Sequence, residues 1–523
     1  MVLTKSNQSL YFFYFLVLSG LIAVFFTTPF LRFPYDPIAH LIAIDELYNG
    51  AETTTTSLQS GRLIWHSMWA NIFHIFEIDS MSILLRAKII HVSQTFIALF
   101  SIYYFSHVII RNIFKKMPFV TLKYLSLWSV IVWLVIFSTF SVSYHLVWNI
   151  WYSLTYQVTL PLFWHITALT LVLFLEETSK WKKVFFILQI FSIGFFILRV
   201  HSMELMYFFM YVGTFALIYI EKFYKLIQKY CCAFVLSLSI IIVIISKNFY
   251  DKTNFFYFIS KAIEKNDPTY LYTVIMESGQ KVIENYNRSS HVINELSYYI
   301  FYLALVSLTY FLWKVWKQNI LLNIRLFIFI LITSLFIIIP IYTFPAGLFS
   351  LISRGDVVHR IHFSSSLFIL VPILTYYLVN QFTDKLRYVN LFILISLVSV
   401  FGYSWYSPNA SHNYAKNVVS LKNSFSKDKY NFHLSKKQIE YIGKAIEHYE
   451  DKNPTNKETY YFARPDIGFV LKYFYGKNVH WLGRRKNYNH ERRYWDHYQW
   501  YSQYYHCVAF HTPGSFPIYK PYR

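Results

Sequence analysis

Four ionisable residues are concentrated in one short segment after the first apolar stretch of the chain. The segment PYDPIAHLIAIDELY contains Asp36, His40, Asp45 and Glu46. Proline is favoured at the first helical position, so Pro37 predicts a helix with Asp36 at its cap and His40 one turn further on. A carboxylate there can accept the proton of an attacking sugar hydroxyl, or it can simply cap the helix. Asp36 and Asp45 are therefore candidate catalytic carboxylates, with His40 and Glu46 as candidate substrate contacts.

A second cluster of ionisable residues, in SLISRGDVVHRIHF over 350–363, is cationic. Arg354, His359 and Arg360 lie beside a predicted membrane span, and Asp356 alone cannot neutralise them. Arginine offers paired donors to phosphate, and fixed cations stabilise the charge that a leaving phosphate gains. We predict that these three residues bind a phosphate or diphosphate at headgroup depth. The alternatives are ordinary lipid headgroups or a salt-bridged loop.

Two further segments carry polar residues near predicted helix ends. In LRVHSMEL, Arg199 and His201 are candidate contacts for the same phosphate, although an arginine at a helix end more commonly extends to the membrane surface. In GRLIWHSMWANIFHIF, the apolar spacing predicts a helix at the membrane interface, with its tryptophans at headgroup depth. His66 and His74 on that helix are given no role.

The elements that must position these residues are transmembrane helices. The chain has 523 residues, of which 55% are hydrophobic and only 14% charged, and the apolar residues come in long blocks. Such blocks match the roughly 20 residues that a helix needs to cross a bilayer. The predicted spans, about eleven in all, lie near residues 10–30, 88–110, 118–139, 157–175, 183–199, 204–220, 231–247, 296–313, 320–343, 363–380 and 388–404. The three cysteines provide neither a metal-ligand set nor a disulfide framework.

Every second connection between these spans is short and basic. By the positive-inside rule these connections and the N-terminus are cytoplasmic, and the long loops and the tail are on the outer side. We therefore predict a transmembrane module over 1–404, with a large first outer loop at 31–87, and an outward-facing soluble domain over 405–523. The expected location is the inner membrane of a bacterium. The basic residues are Arg111, Lys115 and Lys116; Lys180, Lys182 and Lys183; Lys222, Lys225 and Lys229; Lys314 and Lys317; and Lys385 and Arg387.

The tail has the pattern of a small mixed α/β domain. A helix after Ser435 would bury Ile439, Ile442 and Ile446, and a strand, a helix and two further strands are predicted near 459–463, 465–475, 478–482 and 507–510. A strip of basic and aromatic residues over 481–506 suits stacking on sugars or contact with anionic headgroups. Its outward placement argues against nucleic acid as a partner.

In layout the chain resembles the C-type (GT-C) superfamily of integral membrane glycosyltransferases. The resemblance rests on the inward N-terminus, the acidic first outer loop PYDPIAHLIAIDELY, the many spans and the outward α/β tail. It implies inverting transfer of a sugar from a polyprenyl-phosphate or -diphosphate donor to a lipid, glycan or protein acceptor. Asp36, or in competition Asp45, would match the first-loop carboxylate. The loop over 141–157 lacks the second acidic residue of several members, which puts a carboxylate-bound divalent metal in doubt.

Two other classes of function stay open at this point. A transporter or lipid-linked sugar flippase would place ionisable or broken-helix elements near the membrane midplane, where these spans have few. A polymerase or ligase of the O-antigen type would have a large late outer loop, whereas here the tail is larger. A non-catalytic assembly subunit is a further alternative.

Overall fold

The structure is a computed structural model of the chain. It describes residues 36–50, 63–76, 83–114, 116–140, 155–200, 203–229, 261, 263–289, 308–309, 311–313, 317, 323–336, 339, 342–352, 361, 364–382, 436–455, 457–463, 465–481 and 506–509. Helices predominate in these residues. The predicted spans at 10–30, 231–247 and 388–404, and the predicted boundary at 404/405, lie outside the described residues.

The elements follow one another in a simple order. Two short helices come first, α1 (Asp36–Tyr48) and α2 (Leu63–Ile75). Ten helices follow: α3 (Ile83–Ile113), α4 (Phe119–Phe140), α5 (Thr155–Leu175), α6 (Lys180–Val200), α7 (Met203–Ile218), α8 (Ile220–Lys229), α9 (Pro268–Ser289), α10 (Ile324–Ser334), α11 (Thr343–Ile352) and α12 (Leu367–Phe382). The tail contributes α13 (Lys436–Lys452), β1 (Thr459–Ala463), α14 (Pro465–Tyr475), β2 (Asn478–Trp481) and β3 (His506–Ala509).

Three of the described helices are long and apolar enough to cross a membrane. Their qualifying segments are Leu85–Ile113, Val158–Leu175 and Lys180–Val200, and four shorter apolar segments lie in α4, α7, α10 and α12. The predicted spans over 88–110, 118–139, 157–175, 183–199, 204–220 and 363–380 all coincide with helices. The described helices are thus consistent with a helical membrane protein, as the composition predicts.

The membrane helices pack around an aromatic core. Phe105 of α3, Trp164 of α5, Tyr211 of α7 and Phe368 of α12 are in mutual ring contact, with Phe105 and Trp164 centroids 4.7 Å apart. Large rigid rings bury much apolar area while losing few rotamers, so this layer holds four helices together.

The helices of the bundle end at two distinct levels. At one level, the backbone N–H of Asn323 donates to the carbonyl of Ile113 at 2.9 Å, and the Tyr219 hydroxyl donates to the Asn323 side chain at 3.1 Å. Arg111 and Glu176 form an ion pair at the neighbouring ends of α3 and α5. The basic ends of α6, α8 and α10 also lie here, so we call this level the basic end of the bundle.

The first-loop helices and the tail elements pack at the other end. The strands form a parallel sheet of order β2-β1-β3, in which Tyr461 of β1 pairs with Val479 and with Val508. Buried residues of α1, α2, α13, β1 and α14 share one core with Ala87 and Ile90 of α3, Val158 of α5 and Val200 of α6. We call this the loop–tail core. It seals the starts of α3 and α5 and the end of α6.

The loop–tail core confirms one sequence prediction and corrects another. Ile439, Ile442 and Ile446 are buried on one face of α13, as predicted. The predicted interfacial helix forms as α2, but Trp65 and Trp69 are buried against protein rather than held among headgroups. The reason is that α1 and the end of α6 cover the aromatic face of α2.

The predicted span at 320–343 is not one helix. Helix α10 stops at Ser334, and α11 begins at Thr343. The carbonyl of Ser334 accepts the Ser365 hydroxyl at 2.8 Å, and the hydroxyls of Thr333 and Ser366 lie 2.6 Å apart. Because these buried groups bond to the start of α12, the last turn of α10 is capped from another helix instead of being continued.

Helices α9 and α11 cross with their backbones in contact. A Cβ atom on Gly279 would collide with the carbonyl of Thr343, and one on Gly347 would collide with the carbonyl of Ile275. Glycine at both positions allows this approach, which also buries Val282 and Ala346. Two of the predicted outer loops are therefore joined to each other.

We expect Gly279→Ala to weaken this crossing, because the added methyl group displaces backbone rather than a flexible side chain. The cost should be about 1–3 kcal/mol, which exceeds the gain in helix propensity of up to about 1 kcal/mol. Limited proteolysis around α9 should become faster. Gly213→Ala in α7, where a Cβ meets nothing within 4 Å, is the control. Equal protease resistance in the two variants would contradict the assignment.

Candidate functional site

Helix α1 presents its polar residues to protein on both sides. Its apolar residues Leu41, Ile42 and Ile44 are buried in the loop–tail core, and the helix ends at Tyr48 before Gly50, whose φ is 87°. Positive φ suits glycine, which lets the chain turn away at this point. His40 and Asp45 are buried with the apolar face. The acidic first-loop segment is therefore packed inside the protein over most of its length.

Asp45 is the centre of a buried ionic cluster. Its carboxylate lies 3.3 Å from Nη1 of Arg86 on α3 and 3.6 Å from Nζ of Lys472 on α14. The hydroxyl of Tyr473 donates a short hydrogen bond to Oδ2 of the same carboxylate. The side chains of Asp45 and Arg86 are only 9% and 7% exposed. Low exposure makes each partner costly to lose, because an unpaired charge would remain buried.

Aromatic rings hold the guanidinium of Arg86 in place. Its Cζ atom lies 3.8 Å from the centroid of the Tyr48 ring and 5.8 Å from that of Phe73. The opposite face of Tyr48 is not free either, since its ring stacks with His74 at 4.3 Å. Cation–π contacts of this kind are strengthened by desolvation. The cluster thus joins α1, α2, α3 and α14 at one point.

The phenol of Tyr473 is held in its neutral form. Burial raises the pKa of Tyr473 well above its usual value, and the negative charge of Asp45 with its hydrogen bond raises it further. A neutral phenol can donate to Asp45, whereas a phenolate would repel it. The hydrogen bond therefore depends on the buried position of α14 against α1.

A buried histidine pair lies on the other side of α1. Nδ1 of His40 and Nε2 of His66 are 2.8 Å apart, and the ring of Trp65 packs edge-on against both imidazoles. One of the two nitrogens must be protonated and the other not, so the pair is a directional hydrogen bond between α1 and α2. The sequence analysis gave His66 no role. A signal was present, since His66 precedes Trp69 and Phe73 at helical spacing on the buried face.

The remaining predicted site residues are distributed unevenly. Glu46 is half-buried close enough to raise the pKa of Tyr473. Arg199 is exposed in the last turn of α6, next to Val200 of the loop–tail core. Asp36 is the first residue of α1, at the predicted cap position, but its side chain lies outside the described part. His201, Arg354, His359 and Arg360 also lie outside the described residues.

The described side chains suit polar contacts rather than metal binding. Among the residues that the structure describes, no three His, Cys, Asp or Glu side chains are grouped as metal ligands would be. His40 and His66 bond to each other, and both oxygens of Asp45 face donors. Asp45 is therefore an anchor for other elements. A base must have a free oxygen for the incoming proton, and this geometry leaves Asp36 as the better placed of the two carboxylates.

Comparison with known proteins gives no relative from which a role could be transferred. No protein-family model and no curated protein sequence matches the chain. The roles of Asp36, His40 and Asp45 must therefore be argued from their positions in this fold.

We expect Asp45→Asn to destabilise the protein by about 3 kcal/mol, because Arg86 would lose its buried counter-charge. Tyr473→Phe should cost about 1–2 kcal/mol through the lost hydrogen bond. The double variant should lose less than the sum, because each substitution already breaks the contact that the other removes. Unfolding in detergent measures all three. Asp451→Asn, on the exposed face of α13, is the control; additivity would contradict direct coupling.

The raised pKa of Tyr473 predicts alkaline sensitivity. Above a pH of about 10 the unfolded chain loses this proton while the folded chain keeps it, so stability falls as pH rises. The contribution of Tyr473 is complete below pH 10 and absent in Tyr473→Phe. The difference between wild type and Tyr473→Phe should therefore shrink between pH 10 and 11.5 in thermal unfolding, whereas the exposed Tyr441→Phe should show no such trend.

Proposed function

We propose that the protein is a membrane glycosyltransferase that moves a sugar from a polyprenyl-phosphate or -diphosphate donor to a lipid, glycan or protein acceptor. The reaction would occur on the outer face of a bacterial inner membrane. The observation that carries the proposal is the position of α1. This helix begins with Asp36 and is fixed between the helix bundle and the tail elements, at the end opposite the basic connections.

The separation of the two bundle ends supports this orientation. Arg111, Lys222 and Arg325 lie at one end, whereas α1, α2 and the sheet lie at the other. Basic connections favour the cytoplasmic side, so the first-loop helices and the tail would face outward together. A lipid-linked donor could then approach α1 with its phosphate at headgroup depth. The proposal includes the full set of about eleven spans and the soluble outer domain.

We assign the base role to Asp36 and an anchoring role to Asp45. Asp45 already bonds Arg86 and Tyr473, whereas Asp36 starts the helix, where an oxygen can face the acceptor. Asp36 also precedes His40 by four residues, so the two share one face of α1. His40, bonded to His66, would fix the position of this turn. Glu46 and the exposed Arg199 are proposed contacts for the substrate.

Arg354, His359 and Arg360 are the proposed ligands of the donor phosphate. They follow α11, which is joined to α9 at the glycine crossing. His201 lies between α6 and α7, directly beyond Arg199. Cations at headgroup depth would stabilise the negative charge of the departing lipid phosphate. The chemistry needs no nucleotide, and a divalent metal is an optional addition.

One observation bears on the alternative of a flippase. Helix α10 is interrupted within the bundle, as transporter helices often are at a substrate site. The hydroxyls at this break, however, bond to each other and to backbone carbonyls. A closed network of this kind fixes two helices and offers no free ligands to an ion. We therefore keep the transferase as the leading proposal, ahead of the flippase and of an O-antigen-type polymerase or ligase.

The test is transfer from a synthetic polyprenyl-phosphate sugar in proteoliposomes. Asp36→Asn should lower turnover by at least about 100-fold without changing the unfolding midpoint, because general-base catalysis contributes about 100- to 10,000-fold. Asp45→Asn should instead lower the midpoint. Asp267→Asn, an exposed carboxylate that caps α9, should be silent in the transfer assay.

Two results would reject parts of this proposal. Unchanged turnover in Asp36→Asn would remove the proposed base. Movement of labelled lipid-linked sugar across the vesicle membrane, without a new glycosidic bond, would establish the flippase instead.

A further inference from the structure

Helix α8 differs from a simple cytoplasmic loop. The sequence analysis treated Lys222, Lys225 and Lys229 as residues of a short basic connection, but Ile220–Lys229 is a helix that follows α7 after a bend at Tyr219. Its sequence IEKFYKLIQK separates two faces. Ile220, Phe223, Tyr224 and Ile227 recur at intervals of three or four residues, and the lysines occupy the other side. This is the pattern of a helix that lies along a membrane surface.

The structure shows which part of the apolar face is covered by protein. Phe223 packs inward, with its ring centroid 4.7 Å from that of Phe174 on α5 and 6.2 Å from that of Phe215 on α7. Ile220 and Tyr224, by contrast, are about 60% exposed. An apolar strip on α8 therefore remains outside the protein interior, directly beside the cationic side chains.

The cationic side of α8 keeps an excess of positive charge. Lys222 and Lys225 are exposed, and no ion pair with either lysine is found in the described part of the chain. Glu221, the acidic residue of this helix, faces Arg325 of α10 at 3.5 Å. The charge of Glu221 is thus offset by another helix, and the lysine charges are left for an external anion.

Contacts fix α8 at the basic end of the bundle. The hydroxyl of Tyr219, one residue before α8, donates to Asn323, whose own N–H donates to the end of α3. Lys180 and Trp181 begin the neighbouring α6, and Trp181 is 84% exposed. The level at which three helices end is where lipid headgroups would meet the protein.

We propose that α8 is a binding surface for anionic phospholipid headgroups of the cytoplasmic leaflet. Ile220 and Tyr224 enter the boundary between acyl chains and headgroups, and Lys222 and Lys225 contact headgroup phosphates. Two features select lipid over a protein partner. The exposed strip is narrow and lies at a helix end, and its charge has the sign that the anionic leaflet attracts. The surface lies at the end opposite α1, so it is independent of the proposed transferase site.

The first experiment measures thermal stabilisation of the full chain in neutral detergent during titration with phosphatidylglycerol, relative to phosphatidylcholine. A lipid that binds only the folded protein raises its unfolding temperature in proportion to the logarithm of its concentration. Lys222→Gln/Lys225→Gln should weaken the apparent affinity for phosphatidylglycerol by about fivefold for each lysine removed. Lys222→Arg/Lys225→Arg should keep it.

The matched control is Lys444→Gln/Lys452→Gln, which removes two exposed lysines from α13 at the other end of the molecule. This variant should titrate like the wild type. A loss of affinity equal to that of the α8 variant would overturn the proposal, because net charge and not the α8 surface would then govern binding.

The second experiment identifies the occupant of the apolar strip. A photoreactive phenylalanine analogue replaces Tyr224 in the full chain, reconstituted in phosphatidylcholine bilayers with and without phosphatidylglycerol. Illumination should give a product one phospholipid heavier, with phosphatidylglycerol enriched over its share in the bilayer. A crosslinked dimer, or a crosslink to another segment of the same chain, would overturn the proposal.

Discussion

A single buried carboxylate connects the parts of this structure that are distant in sequence. Asp45 on α1 contacts Arg86 at the start of a membrane helix and Tyr473 in the tail. The two partners are separated by almost 400 residues. A buried charge needs full compensation, so none of the three groups can move independently without a large electrostatic cost. The first outer loop, the bundle and the tail are therefore held as one assembly.

This constraint changes the reading of the acidic segment. In the sequence, Asp36 and Asp45 are two equivalent carboxylates on one helix. In the fold, Asp45 has donors on both oxygens, whereas Asp36 is at the start of α1. The distinction follows from what surrounds each residue. A carboxylate enclosed by an arginine, a lysine and a phenol stabilises a structure, and one at a helix start remains available for chemistry.

Much of the fold could be predicted from sequence, because long apolar blocks and helical spacing are local signals. The helices of six predicted spans and the buried face of Ile439, Ile442 and Ile446 follow from such patterns. The break after Ser334 and the contact of His40 with His66 could not be predicted. Each depends on a partner on another helix, 31 residues away for Ser365 and 26 for His66. Local periodicity carries no information about such partners.

The crossing of α9 and α11 also limits how the chain can vary in length. Gly279 and Gly347 face the opposite backbone at one point, and each helix turn brings a different residue to that point. Inserting or deleting one residue in α9 between its start and Gly279 would leave the crossing intact, but a change between Gly279 and Val282 would rotate the buried side chain away. The two helices therefore have a fixed phase relative to each other, and new residues are tolerated best in the segment that connects them.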